Sequence, residues 1–273
     1  MNSKNELQLV HERILSILQF YINLCEKHSL RYYFTGGSLI GVLRHEGFIP
    51  WDDDIDLGMP RADYDKFLEI CRTELPAHYF LINRHTDPNW KFNMSQLVDK
   101  STEVDIYLTE TPRRSNIWID VFPLDGLPTE ENLRHKHMKK ILFYRYLVQV
   151  ANIKTQVDAN RKRPLKERII LGICRHLPLH RLISTPKVLE KMEETLRSYD
   201  FDSAMYAGNL LGRYREREVV PKAYFGTPQK AYFEGIKVNI PENSHALQTA
   251  LYGDYMQLPP ESERVGHRIK VVR

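Results

Sequence analysis

Residues 36–60 read GGSLIGVLRHEGFIPWDDDIDLGMP and hold four aspartates shortly after a glycine-rich stretch. The preceding RYYFTGG predicts a β-strand that runs into a glycine turn, and SLIGVLRHEG predicts a short helix. The aspartates lead into a second short strand, and a helix is expected from Arg61 to about Leu75. Repulsion among the gathered carboxylates must be offset by a bound partner or by neighbouring cations.

Asp54 and Asp56 are expected to point to the same side of the acidic strand, because side chains alternate between the two faces. Two carboxylates on one face repel each other unless a cation joins them. Oxygen ligands of this kind favour Mg²⁺ or Mn²⁺, and Mg²⁺ usually completes its shell with water and substrate phosphates. Asp54 and Asp56 are therefore predicted metal ligands.

The TGGS segment predicts a phosphate cradle beside this metal. Glycines let the backbone approach a ligand closely, and amides at a turn before a helix point toward bound anions. The Ser38 hydroxyl and the Arg44 guanidinium add donors for phosphate oxygens. A glycine turn alone is weak evidence for phosphate binding, but the acidic strand that follows it strengthens the prediction. Gly37, Ser38 and Arg44 are therefore predicted phosphate contacts.

A third carboxylate comes from NIWIDVFPLDG, where Asp120 interrupts an otherwise apolar strand. An unpaired charge beside the core is costly. Asp120 is therefore expected either to complete the metal site or to accept the proton of an attacking hydroxyl, and the sequence leaves both roles open. Asp125, which precedes Gly126, is expected to be a turn residue.

The acidic stretch fits neither a calcium-binding loop nor a set of helix caps. An EF-hand loop starting at Asp52 would place Leu57 where a glycine is required and Asp63 where a glutamate is required. Acids that cap the helix starting near Arg61 would account for one aspartate but not four. Calcium sensing and helix capping are therefore disfavoured.

The remaining pattern predicts a mixed α/β sheet in the first half of the chain. An amphipathic helix opens the sequence, and HYFLINR, KFNMSQLVDK, EVDIYLT and NIWIDVFPL all have the β-branched and aromatic content of strands. The predicted division is a catalytic core over residues 1–129, a basic helical insertion over 130–199, and a C-terminal hairpin and helix over 200–273 that pack back on the core.

Composition limits the class of protein. With 273 residues, of which 42% are hydrophobic, the chain is long enough to bury a substantial core. Its three cysteines are widely separated, which suggests neither a disulfide framework nor a CxxC metal site and favours a reducing compartment. The uncharged run over residues 14–25 is too short and too polar to span a bilayer, so a cytoplasmic protein is expected.

Positive charge is concentrated in one segment. The net charge is only +4, yet residues 134–181 hold 13 Lys or Arg residues against two acids, Asp158 and Glu167. Aromatic and aliphatic residues interleave with these cations, as in a surface that meets lipid headgroups or nucleic acid. A solvated helix face would account for the pattern too. We predict peripheral association with an anionic membrane and no nucleic-acid partner, because no RRM, KH or helix-turn-helix signature is visible.

Residues 32–67, YYFTGGSLIGVLRHEGFIPWDDDIDLGMPRADYDKF, closely resemble the signature of the LicD/fukutin family. IDVFPLDGLP and the terminal YGDYMQLPPESERVGHR resemble later blocks of the same family. The resemblance implies an α+β, nucleotidyltransferase-like fold in which a mixed sheet is flanked by helices. It assigns Gly36, Gly37 and Ser38 to the glycine element, Asp54 and Asp56 to the acid pair, and Asp120 to the third acid.

Three further positions are weaker candidates. His45 and Trp51 flank the motif and are assigned to donor or acceptor contacts, against the alternatives of a solvated histidine and a packed aromatic side chain. His267 resembles a family position and is assigned to phosphate binding, although a surface tail accounts for it equally well.

The resemblance also implies an activity. Members of the family transfer a phospho-alcohol, such as phosphocholine or phosphoribitol, from a CDP-linked donor to a glycan hydroxyl and release CMP. Bacterial members modify teichoic acid, lipopolysaccharide or other surface-glycan precursors at the cytoplasmic face of the membrane. The zinc-binding cysteines of the animal fukutin-related protein have no counterpart here, which favours a bacterial-type enzyme.

The predicted function is therefore that of a phosphotransferase dependent on Mg²⁺ or Mn²⁺. CDP-choline, or another CDP-alcohol, is the expected donor, and a lipid-linked glycan at the inner face of the plasma membrane is the expected acceptor. Two alternatives stay open. One is transfer of NMP from an NTP on the same fold, and the other is a non-enzymatic module that binds nucleic acid through the basic segment.

Overall fold

The N-terminal region follows the predicted order of elements. The computed structural model describes residues 3–107, 113–153, 165, 168, 172, 182–264, 266 and 269–272. Helix α1 (Ser3–Lys27) is followed by β1 (Tyr33–Phe34), α2 (Gly36–His45), β2 (Asp56–Pro60) and α3 (Arg61–Glu74). The apolar residues that predicted the first helix form its buried face, which includes Val10, Ile14, Leu18 and Tyr21.

A mixed sheet forms the centre of the fold. Its other strands are β3 (Tyr79–Ile82), β4 (Ser95–Ile106), β5 (Arg113–Leu127), β6 (Tyr206–Gly208), β7 (Val220–Pro221) and β10 (Ile269–Val271). The main path runs β1-β2-β5-β4-β10, with β3 beside β4, and with β6 between β5 and β7. Strands β2 and β5 are parallel, and the other described pairs are antiparallel. The expected mixed sheet is thus confirmed.

The segments KFNMSQLVDK and EVDIYLT were expected to be separate strands, and this expectation is wrong. Residues 95–100 of the first segment and 103–106 of the second belong to the single strand β4, whose pairing with β5 shifts register between Asp99 and Val104. The Asp99 carboxylate accepts hydrogen bonds from the Ser101 amide at 2.9 Å and the Ser101 hydroxyl at 2.6 Å. Hydrogen bonds from an aspartate to the residue two positions later are typical of turns, but here the backbone continues as a bulged strand.

The first and last parts of the chain share one core. Tyr21 of α1 meets Tyr32 and Phe67 edge-on, with ring centroids 5.3 and 5.4 Å apart. The predicted C-terminal hairpin consists of β8 (Gln229–Phe233) and β9 (Ile236–Ile240). Phe233 of this hairpin packs on Phe34, 5.2 Å away between centroids. Aromatic side chains from both ends of the sequence thus stabilise the same cluster.

A second, smaller core forms where helices meet the end of β5. Helices α4 (Glu131–Ala151) and α5 (Thr185–Leu196) bury a cluster that comprises Leu127, Met138, Ile141, Val148, Leu189, Met192, Leu196 and Leu210. Together with the mixed sheet they give the expected α+β, nucleotidyltransferase-like fold. Most of the basic segment between residues 153 and 182 lies outside the described ranges. Among the described helices, none has the length and apolar character needed to cross a bilayer.

Asp125 was expected in a turn, but it lies in β5 and is buried. The Arg61 guanidinium donates from Nε and Nη2 to the two carboxylate oxygens of Asp125, each at 2.7 Å. Nη1 of the same side chain donates to Glu193 Oε1 of α5 at 2.9 Å. Arg61 is only 7% exposed, so these ion pairs are shielded from water. They join the first turn of α3, the end of β5 and helix α5.

We expect Asp125→Ala to lower the free energy of unfolding by about 3–5 kcal/mol, because it leaves the buried Arg61 charge without its bidentate partner. Urea denaturation followed by circular dichroism measures this change. Glu69→Ala is the control, since Glu69 pairs with Arg72 on the exposed surface of α3 and should contribute less than about 1 kcal/mol. Equal losses in the two variants would contradict the structural role of the buried pair.

Candidate active site

The parallel pairing of β2 with β5 brings the predicted acids together. Asp56 lies directly opposite Asp120 in the register of the two strands, and the Asp120 amide donates to the Ile55 carbonyl at 2.8 Å. Carboxylate oxygens of Asp54, Asp56 and Asp120 all lie within 4.8 Å of one another. The strand itself begins at Asp56, so Asp54 reaches the cluster from the segment just before it.

Two residues that the sequence did not single out hold Asp120 in place. Gln96 of β4 is the cross-strand neighbour of Asp120, and its Nε2 donates to Asp120 Oδ1 at 2.8 Å. The Trp118 indole Nε1 donates to Oδ2 at 3.1 Å from two positions earlier on the same strand. The spacing of Trp118 was a usable signal, because residues i and i+2 share a face of a strand. Gln96 could be found only once the register was known.

The glycine element lies directly against the acids. Gly36 has a φ of +56°, and a Cβ atom there would lie 3.0 Å from Asp56 Oδ2. A Cβ atom on Gly37 would lie 3.2 Å from Asp52 Oδ2. The positive φ and the close approach both require a residue without a side chain. The two glycines thus allow the start of α2 to border the carboxylates.

Ser38 is turned toward the acidic strand. Its hydroxyl oxygen accepts a hydrogen bond from the Asp56 amide at 2.8 Å, and the side chain is 4% exposed. Thr35 adds a second link between the same segments, because its amide donates to the Asp56 carbonyl at 3.1 Å. Ser38 therefore fixes the backbone beneath Asp56, and its contact with phosphate stays a prediction.

Helix capping does not account for the acidic stretch. The residue that precedes the first turn of α3 is Pro60, and no side-chain hydrogen bond caps that end of the helix. Asp53 is buried, and Asp52, Asp53 and Asp54 form a further group whose carboxylate oxygens approach within 4.8 Å. Hard carboxylate oxygens in this number match the ligand preference of Mg²⁺ or Mn²⁺.

Arg44 and His45 lie at the other end of α2, so the structure does not place them beside the glycine element. The rise of a helix puts the Arg44 backbone about 12 Å from Gly36 along the axis. Arg44 donates from Nε to His45 Nε2 at 2.9 Å and from Nη1 to the Tyr255 carbonyl at 2.8 Å. Burial lowers the pKa of both side chains, and Arg44 lowers that of His45 further. A phosphate contact of Arg44 therefore stays a prediction.

The C-terminal segment covers the acidic loop. The Arg264 guanidinium lies over the Trp51 ring, 5.5 Å from its centroid. At Gly266 a Cβ atom would lie 2.5 Å from the Trp51 carbonyl and 3.1 Å from Asp53 Oδ2. Trp51 is thus partly packed beneath the tail, in line with the alternative of a packed aromatic side chain. His267 lies outside the described residues.

We expect Gly36→Ala to weaken Mn²⁺ binding about 10- to 100-fold, because the new methyl group displaces the Asp56 carboxylate. Titration calorimetry measures the affinity. Gly235→Ala is the matched control, since Gly235 also has a positive φ of +77° but no described atom lies within 4 Å of the position that its methyl group would take. Both variants should lose about 1–2 kcal/mol of stability from the strained backbone. Unchanged Mn²⁺ affinity in Gly36→Ala would show that a methyl group at this position does not disturb the Asp56 carboxylate as a metal ligand.

Comparison with known proteins agrees with this geometry. Residues 29–168 match the family model described as LicD/FKTN/FKRP, nucleotidyltransferase domain. The lipopolysaccharide cholinephosphotransferase LicD of Haemophilus influenzae is 32% identical over 273 residues, which cover 97% of this chain and 96% of that protein. The mouse ribitol 5-phosphate transferase FKRP is 44% identical over 164 residues, which cover 57% of this chain and 31% of that protein.

These matches confirm the resemblance stated from the sequence and the prediction of a phosphotransferase. The residues matched by the family model include the glycine element, the acidic strand and Asp120. The parallel pairing of β2 with β5 brings the acidic strand next to Asp120. The relative from Haemophilus extends the similarity over nearly the whole chain. The chain therefore belongs to the LicD/FKTN/FKRP family.

Proposed function

We propose that this phosphotransferase moves a phospho-alcohol, most simply phosphocholine, from a CDP-linked donor to a hydroxyl of a cell-surface glycan precursor and releases CMP. The carrying observation is the register of Asp56 against Asp120, which builds a three-carboxylate cluster beside the start of α2. A near full-length relative named as a lipopolysaccharide cholinephosphotransferase supports phosphocholine as the transferred group. Lipopolysaccharide or teichoic acid precursors are the proposed acceptors.

The carboxylate cluster fits a divalent cation. Three carboxylates supply hard oxygen ligands within 4.8 Å of one another, and Gly36 leaves open the space above Asp56 that a side chain would fill. Asp54, Asp56 and Asp120 would hold the ion. When bound, Mg²⁺ or Mn²⁺ neutralises the charge of the donor's diphosphate and of the departing CMP.

The residues of the chain itself bind the phosphate groups and position the reacting atoms. Amides at the start of α2 and the Ser38 region bind phosphate oxygens, since a helix N-terminus attracts anions. The acceptor oxygen forms a bond to the phosphorus that carries the alcohol, and the bond from that phosphorus to the CMP oxygen breaks. The proton of the acceptor hydroxyl leaves to a base.

From the sequence, Asp120 could be either a metal ligand or the general base. The hydrogen bonds from Gln96 and Trp118 both stabilise its ionised form. They also fix the orientation of both oxygens, as outer partners of a metal ligand do. We therefore favour the metal-ligand role over that of a general base.

We expect ³¹P NMR to show Mg²⁺-dependent release of CMP from one of CDP-choline, CDP-ribitol and CDP-glycerol when each is incubated separately with the protein and water slowly takes the place of the acceptor hydroxyl. Asp54→Asn should lower this rate by at least about 100-fold, because it removes a charged ligand. Asp105→Asn is the control, since Asp105 pairs with Arg114 at the far end of β4. Pyrophosphate release from ATP would instead establish nucleotidyl transfer, and full activity of Asp54→Asn would refute the metal assignment.

We also propose that the protein binds the inner face of an anionic membrane, where a lipid-linked acceptor is found. The exposed side of α4 carries three lysines and two aromatic residues at helical spacing, namely Lys136, Lys139, Lys140, Phe143 and Tyr146. Phe143 is 56% exposed and Tyr146 is 47% exposed. Cations attract anionic headgroups while aromatic side chains enter the interface.

We expect the double variant Phe143→Ser, Tyr146→Ser to sediment with phosphatidylglycerol vesicles about tenfold less strongly than the original protein, because the apolar contact is lost. Tyr232→Ser is the control, since Tyr232 is 60% exposed but lies on β8. Binding of the original protein should fall with salt. No sedimentation at low salt, or equal loss in the control, would count against this face.

A further inference from the structure

Helix α6 (Ser244–Tyr252) is attached to the glycine element by a buried side chain. Gln248 is fully buried, and its Nε2 donates to the Gly36 carbonyl at 2.8 Å. Gly36 is the residue with positive φ at which a Cβ atom would lie 3.0 Å from Asp56 Oδ2. The hydrogen bond therefore fixes the position of α6 relative to the carboxylate cluster.

Tyr252 follows Gln248 by four residues and so lies on the same side of α6. Its hydroxyl oxygen lies 3.8 Å from the point that a Cβ atom on Gly36 would occupy, and Asp56 Oδ2 lies 3.0 Å from that same point. The phenol oxygen and the carboxylate oxygen thus lie on the same side of Gly36. Tyr252 is the first residue of the terminal block YGDYMQLPPESERVGHR that resembles the family, but it was not among the predicted phosphate contacts.

The ring of Tyr252 is held by its neighbours. Tyr214 packs against it edge-on, with centroids 4.7 Å apart. The Tyr214 amide donates to the buried Glu218 carboxylate at 3.1 Å, which ties this loop in place. A hydroxyl carried by a ring that is packed in this way is pre-oriented, so it loses little freedom when it binds a ligand.

We propose that the Tyr252 hydroxyl binds the substrate directly, donating a hydrogen bond to a non-bridging oxygen of the phosphate that lies above Gly36. The inference rests on the proposed function for the identity of the donor, a CDP-alcohol. The bordering carboxylates offer only acceptors to a phosphate, whereas a neutral phenol adds a donor at the same opening. Tyr252 thereby complements the amides at the start of α2.

The test compares Tyr252→Phe with the original protein in two assays. The first is the kcat/KM for CMP release from the active CDP-alcohol, and the second is calorimetric binding of inorganic pyrophosphate in the presence of Mg²⁺. Loss of one hydrogen bond to a charged oxygen should lower both values about 10- to 100-fold. The ring and its packing on Tyr214 are retained, so the melting temperature should stay nearly unchanged.

Tyr64→Phe is the matched control, because it also removes a buried phenolic hydroxyl, one that hydrogen-bonds to the Ser95 hydroxyl at 2.6 Å. Ser95 neighbours Gln96 on β4 and therefore points to the opposite face of the sheet from Asp120. This variant should keep the original kcat/KM and pyrophosphate affinity. A comparable loss in Tyr64→Phe would overturn the proposal, since it would reflect general destabilisation.

Unchanged pyrophosphate affinity in Tyr252→Phe would also overturn the proposal, whatever happens to kcat/KM. Failure of the original protein to release CMP from any CDP-alcohol when a glycan acceptor is present would refute the proposed function instead. Pyrophosphate binding alone would then decide the role of Tyr252, because a diphosphate bound at the carboxylates is common to phospho-alcohol and nucleotidyl transfer.

Discussion

The parallel pairing of β2 with β5 is the constraint on which the site depends. It sets Asp56 beside Asp120, and a shift of one residue would turn one of these carboxylates to the opposite face. Adjacent carboxylates repel each other, so the arrangement must be stabilised from outside the pair. Gln96 and Trp118 donate to Asp120, and Ser38 accepts from the backbone amide of Asp56. These hydrogen bonds orient the Asp120 carboxylate and hold the backbone at Asp56.

The second requirement of the site is that the backbone at the start of α2 lies close to the carboxylates, which glycine makes possible. The start of α2 can border the acids only because Gly36 adopts a positive φ and carries no side chain. Helix α6 is then positioned against that same residue through Gln248. One backbone conformation thus links the acidic strand, helix α2 and the C-terminal helix that carries Tyr252.

Buried charge connects this site to the helical part of the chain. Arg61 directly follows β2 and bridges Asp125 of β5 to Glu193 of α5. Glu193 accepts further hydrogen bonds from Asn93 at 2.8 Å and Arg197 at 2.7 Å. A buried charge network of this kind fixes relative position more than it adds net stability, because desolvation offsets much of the attraction. It orients the face of α4 and α5 relative to the acidic strand.

Local patterns in the sequence determined the helices α1, α2 and α3 and the C-terminal hairpin, because periodicity and turn chemistry act over a few residues. Strand alternation was expected to place Asp54 beside Asp56, but Asp54 precedes β2 and reaches the cluster from the segment before the strand. Local chemistry also misled at Asp125, where the following Gly126 suggested a turn within what is strand β5. The tertiary structure alone decided which strand lies next to Asp56, which side chains hold Asp120, and that Tyr252 borders Gly36. Those contacts join residues far apart in the chain, and their register depends on the packing of the whole sheet rather than on any short stretch of sequence.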